Sequence, residues 1–129
     1  MSDERTPETI PANPETAAFW EATSRGVLSY GWCDACGRAH FYPRRRCPHC
    51  FAPGATLRPA SGRGVVYSFS VMRRAAQPYV IAYVTLEEGV TMMTNIVGCA
   101  PEEVRVGMDV TVTFRPSADG AAVPMFTPA

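Results

Sequence analysis

Two pairs of cysteines, each with two residues between them, constrain this chain more than any other feature. The expected ligands are Cys33, Cys36, Cys47 and Cys50. With this spacing both thiolates of a pair can bind the same metal ion. Two such pairs, here called knuckles, together complete one tetrahedral site of four thiolates. Gly37 supports the tight turn of the first knuckle, and Pro48 rigidifies the second. The pattern therefore predicts a structural metal site.

Zinc is the metal expected at this site, with metal–sulfur bonds of about 2.3 Å. Iron is the alternative, because a rubredoxin-like redox centre uses the same four-thiolate geometry. Four protein ligands leave no open position for water, so the predicted role is to stabilise a segment too short to bury a core. The fifth cysteine, Cys99, lies between Gly98 and Ala100. It is expected to be a small buried side chain rather than a nucleophile.

Length and charge exclude several classes of protein. The chain has 129 residues, and its 12 basic residues, all arginine, balance 12 acidic ones. This balance argues against a polycationic surface for nucleic acid. No apolar run approaches the roughly 20 residues of a membrane helix, and the polar start lacks a secretory signal. A cytoplasmic protein without a membrane partner is expected.

Changes in residue pattern divide the chain into segments. The predicted segments are a flexible arm at 1–12, a helical segment at 13–28, the zinc ribbon at 29–56 and a barrel domain at 57–129. In the helical segment Asn13 is the expected N-cap, Pro14 fits the first turn and Gly26 the C-terminal stop.

The pattern after residue 63 predicts β-strands. Val65, Tyr67, Phe69 and Val71 alternate with Ser68 and Ser70, as in a half-buried strand. Further strands are expected at 79–86, 90–97, 110–114 and 123–126, with one helical turn at 101–104. Together they predict a mainly β protein ending in a small closed barrel of the OB type, with an open antiparallel sandwich as the alternative. The aromatic residues expected to be core rather than a stacking platform are Phe41, Tyr42, Tyr67, Phe69, Tyr79 and Tyr83.

No arrangement of residues predicts an independent catalytic site. The two histidines are isolated: His40 is expected to bond locally and His49 to point to solvent. The densest charge cluster is Arg44, Arg45 and Arg46, and Arg73 with Arg74 forms a second. These arginines are either a solvated surface or an anion site, since guanidinium groups bind phosphates in pairs of hydrogen bonds.

The order of these motifs resembles one family. The residues that carry the resemblance are Phe19-Trp20, Gly26-Val27-Leu28, the two knuckles, Tyr42-Pro43-Arg44, Ser61-Gly62-Arg63-Gly64, Val66-Tyr67-Ser68, Pro78 to Ala82 and Glu88-Gly89-Val90. They are similar to the acyl-CoA-associated proteins that join a zinc ribbon to an OB-fold barrel. The similarity runs from about Pro14 to Phe126, although Tyr42 replaces the first proline of a pair common in the family.

The resemblance implies a non-catalytic accessory subunit. Members of the family associate with thiolases or lipid-transfer-type aldolases, some of which act on steroid side-chain CoA esters, and with MaoC-like hydratases. A thiolase-like partner and an acyl-CoA ligand are therefore expected, with the five arginines named above as candidates for the CoA phosphates on charge alone. A module that binds single-stranded nucleic acid is the alternative function, because a zinc ribbon is joined to an OB-like barrel.

Overall fold

The computed structural model describes residues 4–11 and 13–129. It contains a helix, a three-stranded ribbon sheet and a closed five-stranded barrel. The elements are α1 Ala17–Ser24, β1 Ser29–Cys33, β2 Arg38–His40, β3 Thr56–Pro59, β4 Arg63–Met72, β5 Tyr79–Leu86, β6 Thr91–Ile96, a 3₁₀ turn at Pro101–Glu103, β7 Asp109–Pro116 and β8 Ala122–Pro128. The mainly β class is confirmed.

Helix α1 ends where the sequence predicts and begins later than expected. Gly26 takes φ +79° beyond the last turn, and the amides of Gly26 and Val27 donate to the carbonyls of Thr23 and Ala22. These two bonds form a Schellman motif. At the other end the Asn13 side chain accepts the Glu15 amide at 2.8 Å within a turn, so the helix starts at Ala17 and the prediction of Asn13 as N-cap is wrong.

The ribbon sheet has the order β2-β1-β3, and its strands are antiparallel. The barrel has the order β4-β5-β6-β8-β7 and closes through pairing of β7 with β4. The closed barrel is therefore confirmed, and the open sandwich is wrong. The weakest join lies between β6 and β8, which share the single parallel pair Ile96 and Phe126.

A β-bulge in β4 divides a strand that the sequence predicts to be uniform. The pairing of β4 with β5 shifts between Val66 and Ser68. An extra residue reverses the side-chain alternation beyond it. Phe69 therefore packs against the core as expected, whereas Tyr67 is 68% exposed. The prediction that Tyr67 belongs to the core is wrong, because before the bulge Gly64 and Val66 face the core and Tyr67 faces outward. The same prediction for Tyr83 is also wrong, since this residue is 47% exposed.

Residues 4–11, the N-terminal strap, lie against the barrel. The Glu4 carboxylate accepts a 2.8 Å bond from Arg115 Nε, and the Arg5 guanidinium lies 3.9 Å above the Tyr79 ring centroid. Further along, the Pro7 carbonyl accepts the Ala118 amide. Residues 1–3 and 12 of the predicted flexible arm lie outside the described residues. The flexibility of the arm and the segment boundaries stay predictions.

In residues 4–11 and 13–129, no helix has both the length and the apolar character needed to cross a membrane.

Candidate metal centre and the surface around it

The four knuckle cysteines converge at one end of the ribbon sheet. Their Sγ atoms all lie within 4.8 Å of one another. The Sγ atoms of Cys33 and Cys50, and those of Cys36 and Cys47, are each 3.6 Å apart. A tetrahedron with metal–sulfur bonds of about 2.3 Å has sulfur–sulfur edges of about 3.8 Å. The residues present therefore fit a single tetrahedral ion.

Both knuckles turn in the same way. The Gly37 amide donates to the Cys33 carbonyl at 2.8 Å, and the Phe51 amide donates to the Cys47 carbonyl at 2.8 Å. The residue that closes each turn has positive φ, +67° at Gly37 and +65° at Phe51. Glycine adopts this conformation freely, whereas a bulky side chain rarely does. Sequence reasoning identified the role of Gly37 and missed that of Phe51.

The thiols differ in their surroundings before a metal binds. Burial and the neighbouring thiols raise the pKa of Cys36 to about 12. At Cys47, burial acts in the same direction, but bonds from the Cys50 and His49 amides prevail and lower its pKa to about 6. A divalent ion supplies the positive charge that keeps all four sulfurs ionised. When bound, zinc would hold the two knuckles together and would have no open coordination position for catalysis.

The two histidines support the ribbon. His49 Nε2 lies 3.1 Å from the Ala39 carbonyl, so this side chain ties the second knuckle to β2 instead of simply pointing to solvent. His40 is buried, with Nδ1 3.2 Å from the Tyr42 carbonyl, as expected for a local bond. Gly31 is opposite His40 in the sheet. A Cβ on Gly31 would lie 2.0 Å from His40 Cε1, so this close approach requires glycine.

The arginine candidates lie in two separate connections. Arg44, Arg45 and Arg46 are exposed in the ribbon between β2 and β3. Arg73 and Arg74 are exposed between β4 and β5, and Arg73 pairs with Glu102 at 3.6 Å. The nearby carboxylate offsets part of the charge that Arg73 could offer to a phosphate. The role of all five in binding CoA stays a prediction.

The environment of Cys99 favours a neutral thiol. The side chain is half-buried and packs against the barrel core. Burial, followed by the charge of Glu103, raises the pKa of its thiol. A nucleophilic thiolate needs the opposite shift. This surrounding agrees with a packing role.

An exposed apolar surface on the barrel was missed by the sequence analysis. Tyr83 pairs with Ser68 of β4 on one side and with Met93 of β6 on the other. Tyr67, Tyr83 and Met93 are all exposed, at 68%, 47% and 62%. After Arg63 at its first position, β4 has no charged residue, and β5 and β6 have none. The exposed surface of β4, β5 and β6 that carries Tyr67, Tyr83 and Met93 is here called the uncharged face. The absence of charged residues from these three strands after Arg63 is the sequence signal that could have predicted it.

A four-cysteine ribbon followed by a closed barrel defines the class of zinc-ribbon and OB-fold proteins. Two family models match the two parts: the ChsH2 rubredoxin-like zinc ribbon domain over residues 20–55 and the ChsH2 C-terminal OB-fold domain over residues 57–115. The chain belongs to the DUF35 family of ChsH2-type proteins. The prediction of a zinc-ribbon metal site is confirmed by the ribbon model together with the four clustered cysteines.

Relatives and solved structures agree with this assignment. A DUF35 domain-containing scaffold protein of Methanothermobacter thermautotrophicus is 34% identical, over 78% of this chain and 82% of its own length. A probable enoyl-CoA hydratase alpha subunit of Thermomonospora curvata is 35% identical over 92% of this chain but only 39% of its own length. A solved chain described as "Ltp2-ChsH2(DUF35) aldolase" is 32% identical, with a TM-score of 0.81, covering 93% of this chain and 98% of that one.

Two shorter matches carry more specific names. A 3-oxo-4,17-pregnadiene-20-carboxyl-CoA hydratase alpha subunit of Mycobacterium tuberculosis is 44% identical over 43% of this chain and 19% of its own length. The benzoylsuccinyl-CoA thiolase subunit BbsA of Geobacter metallireducens is 32% identical over 65% of this chain and 59% of its own length. The chain thus spans well under two thirds of the hydratase subunits that it matches.

Proposed function

We propose that this chain is a non-catalytic accessory subunit of a thiolase-superfamily acyl-CoA enzyme, either a thiolase or a lipid-transfer-type retro-aldolase. The carrying observation is the similarity to the ChsH2(DUF35) aldolase structure, which extends over 98% of that chain. The relatives named as hydratase and thiolase subunits support an acyl-CoA substrate. The steroid CoA named for the mycobacterial hydratase supports steroid side-chain degradation as the setting. The cytoplasm is the compartment proposed for this complex.

The chemistry of the site supports a structural role. Four cysteines would saturate the zinc ion and leave no place for a substrate or an activated water. Cys99, the fifth thiol, has a raised pKa and packs against the core. The bond-breaking groups of the complex are therefore expected in the partner. This chain would stabilise the partner and shape the path of the acyl-CoA.

The uncharged face supports association with another protein. Tyrosine and methionine are common at the centre of protein interfaces, where charged residues are depleted. Tyr67, Tyr83 and Met93 are exposed on three neighbouring strands that carry no charge beyond Arg63. A contiguous apolar patch is costly to leave in water. A thiolase-like or MaoC-like subunit seated on this face would remove that cost.

Exposed Tyr67 and Tyr83 also favour the second candidate, a module for single-stranded nucleic acid, because bases stack on outward aromatic rings. Such a site also needs a basic groove along the nucleic-acid backbone. Strands β5 and β6 carry no arginine, and β4 has only Arg63, whose guanidinium is paired with Glu87 at 3.2 Å. Arg5 of the strap lies on β5 and β6, but its guanidinium is stacked on Tyr79 and donates to Asn95 Oδ1 at 3.3 Å. The accessory-subunit proposal therefore agrees better with the charge distribution.

Co-purification from the native host tests the proposal. The tagged chain should recover a thiolase-superfamily subunit in near-equal amount, identified by mass spectrometry. The purified pair should then cleave or transfer acyl-CoA, while neither protein alone is fully active. Recovery of oligonucleotides, or of the chain as a well-behaved monomer without a partner, would contradict the proposal. A salt-dependent shift with single-stranded oligonucleotides would instead support the second candidate.

A further inference from the structure

Phe51 is an apolar residue displayed at the tip of the ribbon. Its side chain is 70% exposed, and its backbone has φ +65°. Among the described residues, Phe51 is the one residue other than glycine whose φ is positive. Gly37 occupies the equivalent position of the first knuckle, with φ +67°. The second knuckle thus places a phenyl ring where the same turn in the first knuckle has no side chain.

The backbone contacts of Phe51 account for its conformation but not for its side chain. Its amide donates to the Cys47 carbonyl at 2.8 Å, and its carbonyl accepts Arg46 Nη1 at 2.9 Å. The Cys47 amide donates to the Ala52 carbonyl at 3.0 Å, which closes the turn on the other side. Glycine would make the same backbone bonds without strain. The phenyl ring is therefore an addition that folding of the knuckle does not require.

Strain at a bulky left-handed residue directs attention to function. An exposed aromatic ring on a rigid turn loses little conformational freedom when it is buried by a partner, and such anchors carry much of the energy of an interface. A bound metal would make this turn rigid, since two of its expected ligands, Cys47 and Cys50, lie within it. Phe51 therefore has the features of a preorganised anchor.

The charges around Phe51 indicate the chemistry of its partner. Residues 44–55 contain Arg44, Arg45 and Arg46 and no aspartate or glutamate. The three side chains are exposed. From outside this segment, the Glu15 carboxylate accepts the Arg45 amide at 2.8 Å and offsets one of the three charges. The tip combines an apolar centre with a net positive rim.

We propose that Phe51 inserts into an apolar pocket of the partner subunit, rimmed by carboxylates that face Arg45 and Arg46. This inference rests on the proposed function and adds a surface and a binding residue to it. The ribbon tip would provide the anchored contact, and the uncharged face of the barrel a separate one. The arginines thereby serve protein recognition at this tip rather than the CoA phosphates.

Binding of variants to the thiolase-superfamily subunit recovered with the tagged chain tests this inference. In Phe51→Gly the backbone conformation is allowed, so zinc content and the melting temperature should be equal to or above those of the wild-type chain. Affinity measured by calorimetry should fall about tenfold or more, as for an interface anchor. Val106→Ser is the matched control, because Val106 is 66% exposed in the barrel domain. It should bind like the wild-type chain.

The salt dependence of binding tests the contribution of the charged rim. Affinity of the wild-type chain should decrease with added salt, and Arg45→Gln should reduce that dependence. Equal binding by Phe51→Gly and the wild-type chain would overturn the anchor while leaving the proposed function intact. An equal loss in Val106→Ser would also overturn it, because any exposed apolar residue would then suffice. If the wild-type chain binds no such subunit, the proposed function fails and the anchor with it.

Discussion

Cys47, the first cysteine of the second knuckle, is fully buried, with its Sγ 3.6 Å from that of Cys36 in the first knuckle. Replacing it with serine (Cys47→Ser) should remove the zinc and unfold the ribbon, because bound zinc contributes on the order of 10–16 kcal/mol in small zinc domains. Zinc content by mass spectrometry and limited proteolysis of residues 29–56 measure the two effects. Cys99→Ser should keep one zinc per chain. A folded Cys47→Ser protein that retains its zinc would contradict the assignment of the ligands.

The packing of His40 depends on the absence of a side chain at Gly31. A methyl group at Gly31 would lie 2.0 Å from His40 Cε1 and 2.5 Å from Nε2, inside the contact distance of any real side chain. Gly31→Ala should destabilise the chain by about 1–3 kcal/mol, the usual cost of overpacking. In a His40→Ala background the same change should cost less, because the ring is gone. Urea unfolding of the wild-type chain, the two single variants and the double variant measures this coupling, and equal costs in both backgrounds would disprove it.

Single residues could be predicted where a local sequence pattern has few possible structural uses. Two cysteine pairs have few uses other than a metal site, so the ligands could be read directly. Phe51 could not be found in this way, because nothing in a one-dimensional pattern shows that a phenylalanine has positive φ. The signal was its position after Cys50, equivalent to that of Gly37 after Cys36.

At the scale of elements, the N-terminal strap depends on charge. The hydrogen bond from Arg115, with its charge, holds the pKa of Glu4 below its ordinary value of 4.5. A lowered pKa in the folded state stabilises the docked strap at neutral pH, and this contribution is lost as the pH falls through the lowered value. The protection of the Ala118 amide, which donates to the Pro7 carbonyl, should therefore decrease in acid when its exchange rate is divided into the intrinsic rate at the same pH.

Glu4→Gln separates this effect from general acid unfolding. The variant should show fast exchange at Ala118 already at neutral pH, because the charge-assisted bond to Arg115 is weakened. Glu8→Gln is the matched control, since Glu8 is an exposed carboxylate of the same strap. Slow exchange in Glu4→Gln at neutral pH would show that the carboxylate does not hold the strap.

The elements themselves were partly predictable. Glycine after a helix has a single strong interpretation, and Gly26 indeed forms the Schellman motif that ends α1. Asparagine before a helix has two possible interpretations, because its side chain either caps the helix or closes a turn. Asn13 closes a turn through the Glu15 amide. The choice depends on how the following residues pack, which local sequence does not contain.

At the scale of the whole molecule, the uncharged face should govern the behaviour of the isolated chain. Substituting Tyr67→Ser and Met93→Thr together should reduce self-association of the purified chain, measured by sedimentation. The melting temperature should change little, because both side chains are more than half exposed. Val106→Ser should leave self-association as it is in the wild-type chain. Unchanged self-association in the double variant would mean that another surface is responsible.

The sequence by itself indicated the four cysteines that cluster, the positions of the barrel strands along the chain and the glycine that ends the helix. Each of these follows from residues close together in the chain, whose spacing has one physical use. Tertiary structure alone decided that Tyr67 points outward, that Arg5 lies on Tyr79 and that β7 closes on β4. The bulge in β4 arises from pairing with β5, and the strap contacts residues far along the chain. Such long-range pairings determine which side chains of each strand face the core and which face solvent. The local hydrophobic periodicity of the sequence does not contain this information.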